Sequence, residues 1–315
     1  MKYIIGIDGG GSKSVLKIAD LSGNILFTAF GGPTNILSGS LNDVHTVLTK
    51  LIRESIGRNG LLIEDCIGFC IGTAGAGRLE EKMILEDMIK SLGIKGNIVV
   101  TTDAEIVLAA ETGKVEGIVI IAGTGSIAYG IDKEGKKVRT GGWGHILGDE
   151  GSGYYIGLEA IKSMLRSYDG REPYTELLPM IIHEMKLEKV EDIINVIYKK
   201  EFNKAEVASL AKIVDEAYKK GDKKAKEILR DASIQLFKLA EAVIKVLKFD
   251  NVKTTLVASG SILLKNNFIF DNFSRMVYER YPLINIRKLT KCAALGAVKI
   301  ALDSLKDKEN RNEAR

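Results

Sequence analysis

Three glycine-containing turns each follow a run rich in Ile and Val, and together they could hold a triphosphate. The turns are Asp8-Gly9-Gly10-Gly11-Ser12, Gly123-Thr124-Gly125-Ser126 and Ser259-Gly260-Ser261. A triphosphate needs backbone N–H donors and a metal ion, and glycine lets the backbone approach phosphate oxygens without a side chain in the way. A single turn of this kind is weak evidence, because most are ordinary hairpins. Three of them predict a nucleotide site.

Two common nucleotide motifs do not fit these turns. A P-loop requires G-x-x-x-x-G-K-[ST] at the start of a helix, and the run from Gly6 places Ser12 where the lysine should be. Residues 123–128 match the dinucleotide pattern G-x-G-x-x-A, but the next segment alternates like a strand and contains Gly130 and Gly135. The helix that a dinucleotide site needs is therefore not predicted.

The strands and helices that must position the turns follow from apolar periodicity. The first three strands predict an antiparallel meander, and the pattern restarts after residue 117 as a weak internal repeat. Strands are expected at 3–8, 15–20, 25–30, 66–71, 98–101, 117–122, 127–131 and 255–258. Helices are expected over 44–56, 79–92, a short stretch from Asp103, most of 154–247, and an alanine-rich closing segment at 292–305.

Composition limits the class of protein. The chain has 315 residues, which favours two domains because single cores stop growing at about 250–300 residues. Its net charge is only +4, with lysines scattered among glutamates, so no nucleic-acid partner is expected. No apolar run approaches the roughly 20 residues that span a bilayer, and the first residues do not resemble a signal peptide. We therefore expect a cytoplasmic protein without a membrane partner.

The cysteines do not predict a disulfide or a metal site. Cys66 and Cys70 fall in one predicted strand, where they would lie roughly 13 Å apart, which is too far for a disulfide. Cys292 stands alone in the closing helix. Buried thiols in a reducing compartment are the expected state.

Five segments of this sequence, in this order, resemble N-acetylglucosamine kinases of the BadF/BadG branch of actin/hexokinase-like ATPases. The segments are 8–12, Thr34-Asn35, 101–104, 123–126 and the block from Gly141 to Gly151. The block is the most specific of them, and the resemblance runs from Met1 to about Leu305. It implies two actin-like (ribonuclease H-like) α/β lobes around a nucleotide cleft, the second with a large helical insertion.

The resemblance also implies domain boundaries. The N-terminal lobe is expected at 1–114, the C-terminal lobe at 115–291, the closing helix at 292–305 and a disordered tail at 306–315. A hinge for domain closure is expected near Gly113 to Gly117. A homodimer fits the family, although nothing in the sequence demonstrates it.

ATP and Mg²⁺ are the implied cofactors. Asp8 corresponds to the carboxylate that holds Mg²⁺, with a simple turn-capping aspartate as the alternative. The nucleotide-binding positions carried over are Gly10, Gly11, Ser12, Gly123, Thr124, Gly125, Gly260, Ser261 and, more weakly, Ala217.

Asp103 is the implied catalytic base, since a kinase that phosphorylates a hydroxyl needs a carboxylate near the departing proton. The alternative is that Asp103 only caps the helix it precedes. The sugar-binding positions carried over are Asn35, Asp103, Ser126, Gly142, Trp143 and Asp149. Ordinary core packing is the alternative for Trp143, the only tryptophan, and the role of Glu150 stays open.

The function implied is ATP-dependent phosphorylation of the 6-hydroxyl of N-acetylglucosamine, and of N-acetylmuramic acid if the site leaves room at the 3-position. A glucosamine kinase is the nearest alternative. An ATPase activator of a 2-hydroxyacyl-CoA dehydratase or benzoyl-CoA reductase would need thiolates for a shared iron-sulfur cluster. A sugar-responsive regulator would normally carry an additional DNA-binding domain.

Overall fold

The computed structural model describes residues 1–11, 13–36, 40–73, 75–199 and 203–313. The chain divides into two compact units, here called unit 1 (Met1–Glu116 with Leu289–Arg315) and unit 2 (Gly117–Lys288). The division after Glu116 lies two residues beyond the boundary expected from the sequence. The closing helix is not a separate segment, because it packs within unit 1.

The strands and helices are numbered in chain order. Unit 1 begins with β1 (Tyr3–Gly9), β2 (Ser14–Ala19), β3 (Ile25–Gly31), α1 (Leu41–Arg58), β4 (Cys66–Thr73), α2 (Leu79–Ser91), β5 (Asn97–Thr101) and α3 (Asp103–Thr112). Unit 2 contains β6 (Gly117–Ala122), β7 (Ser126–Ile131), β8 (Lys137–Gly141), α4 (Gly153–Tyr168), α5 (Leu177–Glu184), α6 (Asp192–Ile197), α7 (Lys204–Ser209), α8 (Ala211–Lys219), α9 (Lys223–Val246), β9 (Thr254–Ser259), α10 (Ser261–Lys265), α11 (Asn267–Arg280) and β10 (Ile284–Lys288). The final helix, α12 (Ala293–Glu313), returns to unit 1.

Each unit is built on a five-stranded mixed sheet with helices against it. The strand orders are β3-β2-β1-β4-β5 and β8-β7-β6-β9-β10. In both sheets the first three strands along the chain pair antiparallel and the last two add in parallel. The identical order confirms the internal repeat, and the architecture is the actin/hexokinase-like ATPase fold.

The core of unit 1 explains why its strands read as continuous apolar runs. One face of the sheet packs on α1 and α2 through side chains such as Leu48 and Leu85. The other face is covered by α12, which approaches so closely that a Cβ on Gly6 would overlap Val298. Strands buried on both faces need apolar residues at consecutive positions.

Helix α12 corrects one expectation. The sequence predicted a disordered tail from Lys306, because the composition there is almost entirely polar, but the helix continues to Glu313. Its first half is anchored by buried alanines at 294, 297 and 301. A packed helix propagates at little cost, since each further residue adds a hydrogen bond without a new nucleation step.

Unit 2 has a separate core, formed by its sheet and by α4, α8, α9 and α11 among others. In the residues that the structure describes between β8 and β9, the predicted helical region is present as helices α4 to α9. Within the described part of the chain, no helix has both the length and the apolar character needed to span a bilayer.

Candidate functional site

The carboxyl ends of β1, β4 and β5 meet at one edge of the unit 1 sheet, because these strands are parallel. Asp8 lies at the end of β1, and Asp103 directly follows β5 as the first residue of α3. Burial, together with the negative charge of Asp103, raises the pKa of Asp8 from 3.8 to about 6, and Lys13 opposes this shift. Two carboxylates that repel each other in a partly desolvated environment favour the binding of a cation or a proton.

Asp103 does not cap the helix. The N-cap of α3 is Thr102, whose Oγ1 accepts a bond from the backbone N–H of Glu105 at 3.3 Å. Asp103 Oδ1 accepts from the adjacent Ala104 N–H at 2.9 Å, and burial raises the pKa of Asp103 despite that bond. The capping interpretation of Asp103 is therefore wrong, and its carboxylate remains a candidate for chemistry.

The first glycine turn lies beside Asn35. The N–H of Gly10 donates to Lys13 O at 3.0 Å within the turn, so this amide is already engaged. Gly11 faces Asn35, since a Cβ on Gly11 would lie 3.9 Å from Asn35 Nδ2. Ser12 lies outside the described residues, so its expected contact with phosphate stays a prediction.

In the second turn, two of the four amides are engaged within unit 2. Gly123 N–H donates to Gly125 O at 2.9 Å, and Ser126 N–H donates to Asp149 Oδ1 at 3.1 Å. The amides of Thr124 and Gly125 are the donors that the described part of this turn leaves for a ligand. The expected contacts of Thr124 and Gly125 with phosphate stay a prediction, and the amide of Gly123 is already engaged within the turn.

The carbonyl groups of the same turn hold the start of α4. Gly123 O accepts from Gly153 N–H at 2.8 Å, and Thr124 O accepts from Tyr154 N–H at 3.2 Å. The first amides of a helix have no partner inside the helix. The turn therefore satisfies them and is fixed in place by the same bonds.

Asp149 was predicted to bind sugar, and the structure places its carboxylate inside unit 2. The residue is only 4% exposed, and its carboxylate lies against Gly125 while it accepts from Ser126 N–H. Its backbone has φ of 62°, a left-handed conformation that costs a non-glycine residue on the order of 1 kcal/mol or more. Ser126 Oγ donates to the adjoining Glu150 O at 2.7 Å. In the structure, Asp149 supports the second glycine turn through these contacts.

The third turn requires glycine at its centre. Gly260 has φ of 86° and ψ of 153° and stands directly before α10. A Cβ at this position would overlap the backbone of Ala122, where β6 ends. The turn after β9 is therefore packed tightly against the start of the second turn.

A cavity of about 250 Å³ opens between the second and third turns. Its apolar wall includes Ile156 of α4, Ala205 and Ala208 of α7, and Ile262 of α10. Its polar lining includes Thr124, Ser209, Lys212, Asp215, Ser261, Lys265 and Asn266. Asp215 accepts from Asn266 Nδ2 at 2.8 Å and pairs with Lys219 at 2.6 Å, so its carboxylate is held at the cavity wall. An apolar slot with a few fixed polar groups suits a flat heterocycle attached to a polar group.

The predicted adenine contact at Ala217 needs correction. Ala217 is fully buried in the unit 2 core, and it is Ala211, Lys212 and Asp215 of the same helix that line the cavity. Its helical apolar stripe places Ala217 on the core-facing side. Lys212 and Asp215, three residues apart on one helix face, are the sequence signal that was missed.

Trp143 is not a core residue. Its side chain is 62% exposed, and the Arg139 guanidinium carbon lies 4.3 Å from the ring centroid. The preceding Gly142 has φ of 68°, which fixes a turn before the indole. The packing interpretation is wrong, and an exposed ring with a cation over it remains available to a ligand. Its predicted role in binding sugar stays a prediction.

Metal ligation would need help from a substrate. Among the described residues, no group of three or more His, Cys, Asp or Glu side chains is arranged to hold a metal ion. Mg²⁺ in phosphoryl-transfer sites is usually held by one or two carboxylates together with phosphate oxygens. Asp8, whose charge is disfavoured by burial and by Asp103, is the residue that fits this role.

Residues 5–301 match the model of the BadF/BadG/BcrA/BcrD ATPase family. The chain belongs to this family. It is 48% identical over 301 residues to an N-acetylmuramic acid/N-acetylglucosamine kinase of Clostridium acetobutylicum, covering 96% of this chain and 98% of that protein. It is 32% identical to an N-acetyl-D-glucosamine kinase of Dictyostelium discoideum, covering 97% and 99%.

The fold comparison agrees with the family. A solved structure from Chromobacterium violaceum, whose assignment as an N-acetylglucosamine kinase is itself provisional, superposes with a TM-score of 0.75 at 22% identity. The match covers 96% of this chain and 99% of that chain. At this identity the likeness shows the fold, and the sequence relatives carry the family assignment.

Proposed function

We propose that this chain is an ATP-dependent kinase that transfers phosphate to the 6-hydroxyl of N-acetylglucosamine and also accepts N-acetylmuramic acid. The observation that carries the proposal is the pair of carboxylates, Asp8 and Asp103, which interact at the carboxyl edge of the unit 1 sheet. A member of this ATPase family that is 48% identical to an amino-sugar kinase is expected to use such a pair for that chemistry.

Asp103 is the proposed base. As the sugar O6 attacks the γ-phosphorus, the O6–P bond forms, the bond from phosphorus to the β–γ bridging oxygen breaks, and ADP leaves. The O6 proton passes to the Asp103 carboxylate. Burial raises the pKa of Asp103, which makes the carboxylate a better proton acceptor than an exposed aspartate. In a loose phosphoryl-transfer transition state this proton moves late, so positioning matters more than basicity.

Asp8 is the proposed Mg²⁺ ligand, acting directly or through water. When bound, Mg²⁺ would offset negative charge on the nucleotide phosphates. Asp8 contributes the negative charge that holds the cation, and its own ionisation is stabilised in return, because the repulsion from Asp103 is then offset.

The nucleotide is proposed to use the amides of the glycine turns and the unit 2 cavity. In unit 1 the turn offers Gly11, with Ser12 as a further prediction and Gly10 limited by its bond to Lys13. In unit 2 the turn offers Thr124 and Gly125, while Ser261 lines the cavity beyond them. The cavity takes the adenine ring, with Lys212 and Asp215 beside the ribose.

The sugar contacts are proposed residue by residue. In unit 1, Asn35 is half-buried next to Gly11 and supplies an amide for sugar hydroxyls. In unit 2, Gly142 and the exposed Trp143 stay proposed contacts, whereas Ser126 and Asp149 already bond to each other and are proposed to act mainly by holding the turn. A site made of hydrogen-bonding groups rejects analogues that leave those groups unpaired.

The test is a panel of sugars with ATP and Mg²⁺, monitored by ADP release, followed by NMR location of the phosphate in the product. We expect N-acetylglucosamine 6-phosphate, activity with N-acetylmuramic acid, and a lower rate with glucosamine. A 6-deoxy analogue of N-acetylglucosamine is the matched control and should accept no phosphate. Preference for glucosamine would replace this substrate assignment, and transfer to none of these sugars would overturn the kinase proposal.

A further inference from the structure

A cluster of buried hydroxyl groups connects the first glycine turn to Asn35. It consists of Ser14, Thr34 and Thr73, each of which is fully buried. Thr34 stands at its centre and directly precedes Asn35 in the sequence. The proposed function uses Asn35 and the turn but gives Thr34 no role.

All three polar groups of Thr34 are engaged. Its N–H donates to Gly10 O at 3.1 Å, and its carbonyl accepts a long bond from Thr73 Oγ1 at 3.4 Å. Its hydroxyl lies 2.8 Å from Ser14 Oγ. Ser14 Oγ also donates to Gly32 O at 2.8 Å. Since a serine hydroxyl has one proton, the proton in the Ser14–Thr34 bond comes from Thr34.

The hydroxyl of Thr34 also touches the turn from inside. A Cβ on Gly9 would lie 2.5 Å from Thr34 Oγ1, so this oxygen occupies the space next to the residue that ends β1. On the other side of the turn, Gly11 lies near the Asn35 amide. Thr34 therefore contacts the turn at Gly9 through its hydroxyl and at Gly10 through its N–H. Its carbonyl, which is bonded to Thr73, helps to position the peptide that leads into Asn35.

We propose that Thr34 is a positioning residue that sets the placement of the phosphate-binding turn and of the sugar-binding Asn35 together. This inference rests on the proposed function. Because one residue contacts both segments, a change in the side chain that fixes its position should affect the use of both substrates. A residue with only a structural role would lower stability and leave both KM values unchanged.

The direction of the effect follows from the hydrogen bond. Thr34→Val keeps the shape but replaces the hydroxyl with a methyl group, so Ser14 Oγ loses a buried partner. Loss of one buried hydrogen bond typically lowers an equilibrium or rate constant by a factor of about 2 to 13, and by more when a polar group is left without a partner. We expect kcat/KM for ATP and for N-acetylglucosamine each to fall about tenfold.

Thr49→Val is the matched control. Thr49 lies in α1 of the same unit, and its buried Oγ1 has no hydrogen-bond partner in the described part of the chain. The same substitution there removes a buried hydroxyl that positions nothing. We expect its kinetic constants to stay within about twofold of the natural protein.

The experiment measures kcat and KM for both substrates, and Tm, in the full-length natural protein, Thr34→Val, Thr34→Ser and Thr49→Val. Thr34→Ser keeps the hydroxyl and should recover most of the loss. The inference is overturned if Thr34→Val behaves like Thr49→Val, or if only one substrate is affected. Should Thr34→Val fail to fold, Ser14→Ala removes the other side of the same bond, and normal kinetics in that variant would equally overturn the inference. An inactive natural protein would instead refute the proposed function, and this inference with it.

Discussion

The two glycine turns that follow β1 and β6 occupy equivalent places in sheets of the same strand order, yet they are held in opposite ways. The unit 1 turn contains Asp8 and is held by neutral groups of Thr34: its backbone N–H donates to Gly10 O, and its hydroxyl, bonded to Ser14, lies against Gly9. The unit 2 turn follows Ala122 and is fixed by a buried carboxylate, Asp149.

The difference has an electrostatic reason. Asp8 already has a pKa raised to about 6 by burial and by Asp103. A further carboxylate beside it would raise that pKa more and disfavour the charge that Mg²⁺ needs. Where no such acid is present, as at Ala122, a carboxylate can support the turn without this repulsion. The same backbone framework is therefore proposed to hold the acidic pair in unit 1 and, in unit 2, a turn that needs no acid of its own.

Substitution of the base should have the largest effect. Asp103→Asn keeps the size of the side chain but removes the proton acceptor, so kcat should fall by about 10² to 10⁴. Steady-state ADP release with saturating N-acetylglucosamine measures this. Asp20→Asn, in the exposed turn after β2, is the control and should keep the natural kcat. An Asp103→Asn variant with near-natural kcat would refute the assignment of the base.

Substitution of Asp8 should separate activity from stability. Because the pKa of Asp8 rises from 3.8 to about 6 on folding, the folded chain binds more protons than the unfolded chain between these values. Stability from this group is therefore present below pH 3.8 and lost as pH rises through about 6. Asp8→Asn avoids that loss.

Without Mg²⁺, Asp8→Asn should be more stable than the natural protein by roughly 1–3 kcal/mol at pH 7.5, with no difference near pH 4. Urea denaturation at the two pH values measures this, and the variant should also lose Mg²⁺-dependent transfer. Asp20→Asn gives the opposite sign, because hydrogen bonds from Asn24 lower the pKa of Asp20. Equal stability of natural protein and Asp8→Asn at pH 7.5 would contradict the electrostatic account of unit 1.

Filling the unit 2 cavity should weaken nucleotide use alone. Ala205 of α7 is exposed and lines the cavity, so Ala205→Phe places a ring there without disturbing the core. We expect KM for ATP to rise about tenfold, equivalent to roughly 1.4 kcal/mol, with little change in KM for the sugar. Glu206→Phe adds the same ring at the next exposed residue, outside the cavity lining, as the control. If the two variants raise KM for ATP equally, the cavity is not the nucleotide site.

The smallest expected effect concerns the Arg139–Trp143 pair. Exposed cation–π contacts are worth about 0.5–1 kcal/mol, so Arg139→Ala should raise KM for N-acetylglucosamine two- to fivefold. Trp143 is the only tryptophan, so its fluorescence reports directly on this place and should change when the sugar is added. Arg139→Lys is the control that keeps the charge. A fluorescence spectrum unaffected by saturating sugar would remove Trp143 from the proposed site.

The sequence predicted the fold most accurately where strands are buried. The bounds of β1, β4 and β6 differ from expectation by two residues at most, because strands buried on both faces must be apolar throughout. The short strands β8 and β10 were missed. Each is an edge strand, and their Lys and Arg residues break the apolar pattern.

In the candidate site, too, the sequence predicted some features and missed others. Glycine turns and carboxylates could be found from residue type and order, but their bonding could not. Capping by Thr102 instead of Asp103 is a difference of one residue in where the helix begins. Burial of Asp149 against Gly125 depends on a contact between segments that are distant in the sequence. Ala217 and Asp215 lie on one helix, and only packing decides which of them faces the cavity.

The division of roles between the units is tested most directly by the dissociation constant of a non-hydrolysable ATP analogue with Mg²⁺, measured by calorimetry on Asp103→Asn and Ala205→Phe. The account predicts that Asp103→Asn binds the analogue as the natural protein does, although it transfers almost no phosphate, and that Ala205→Phe binds it about tenfold more weakly. Natural affinity in Ala205→Phe, or loss of binding in Asp103→Asn, would contradict the account.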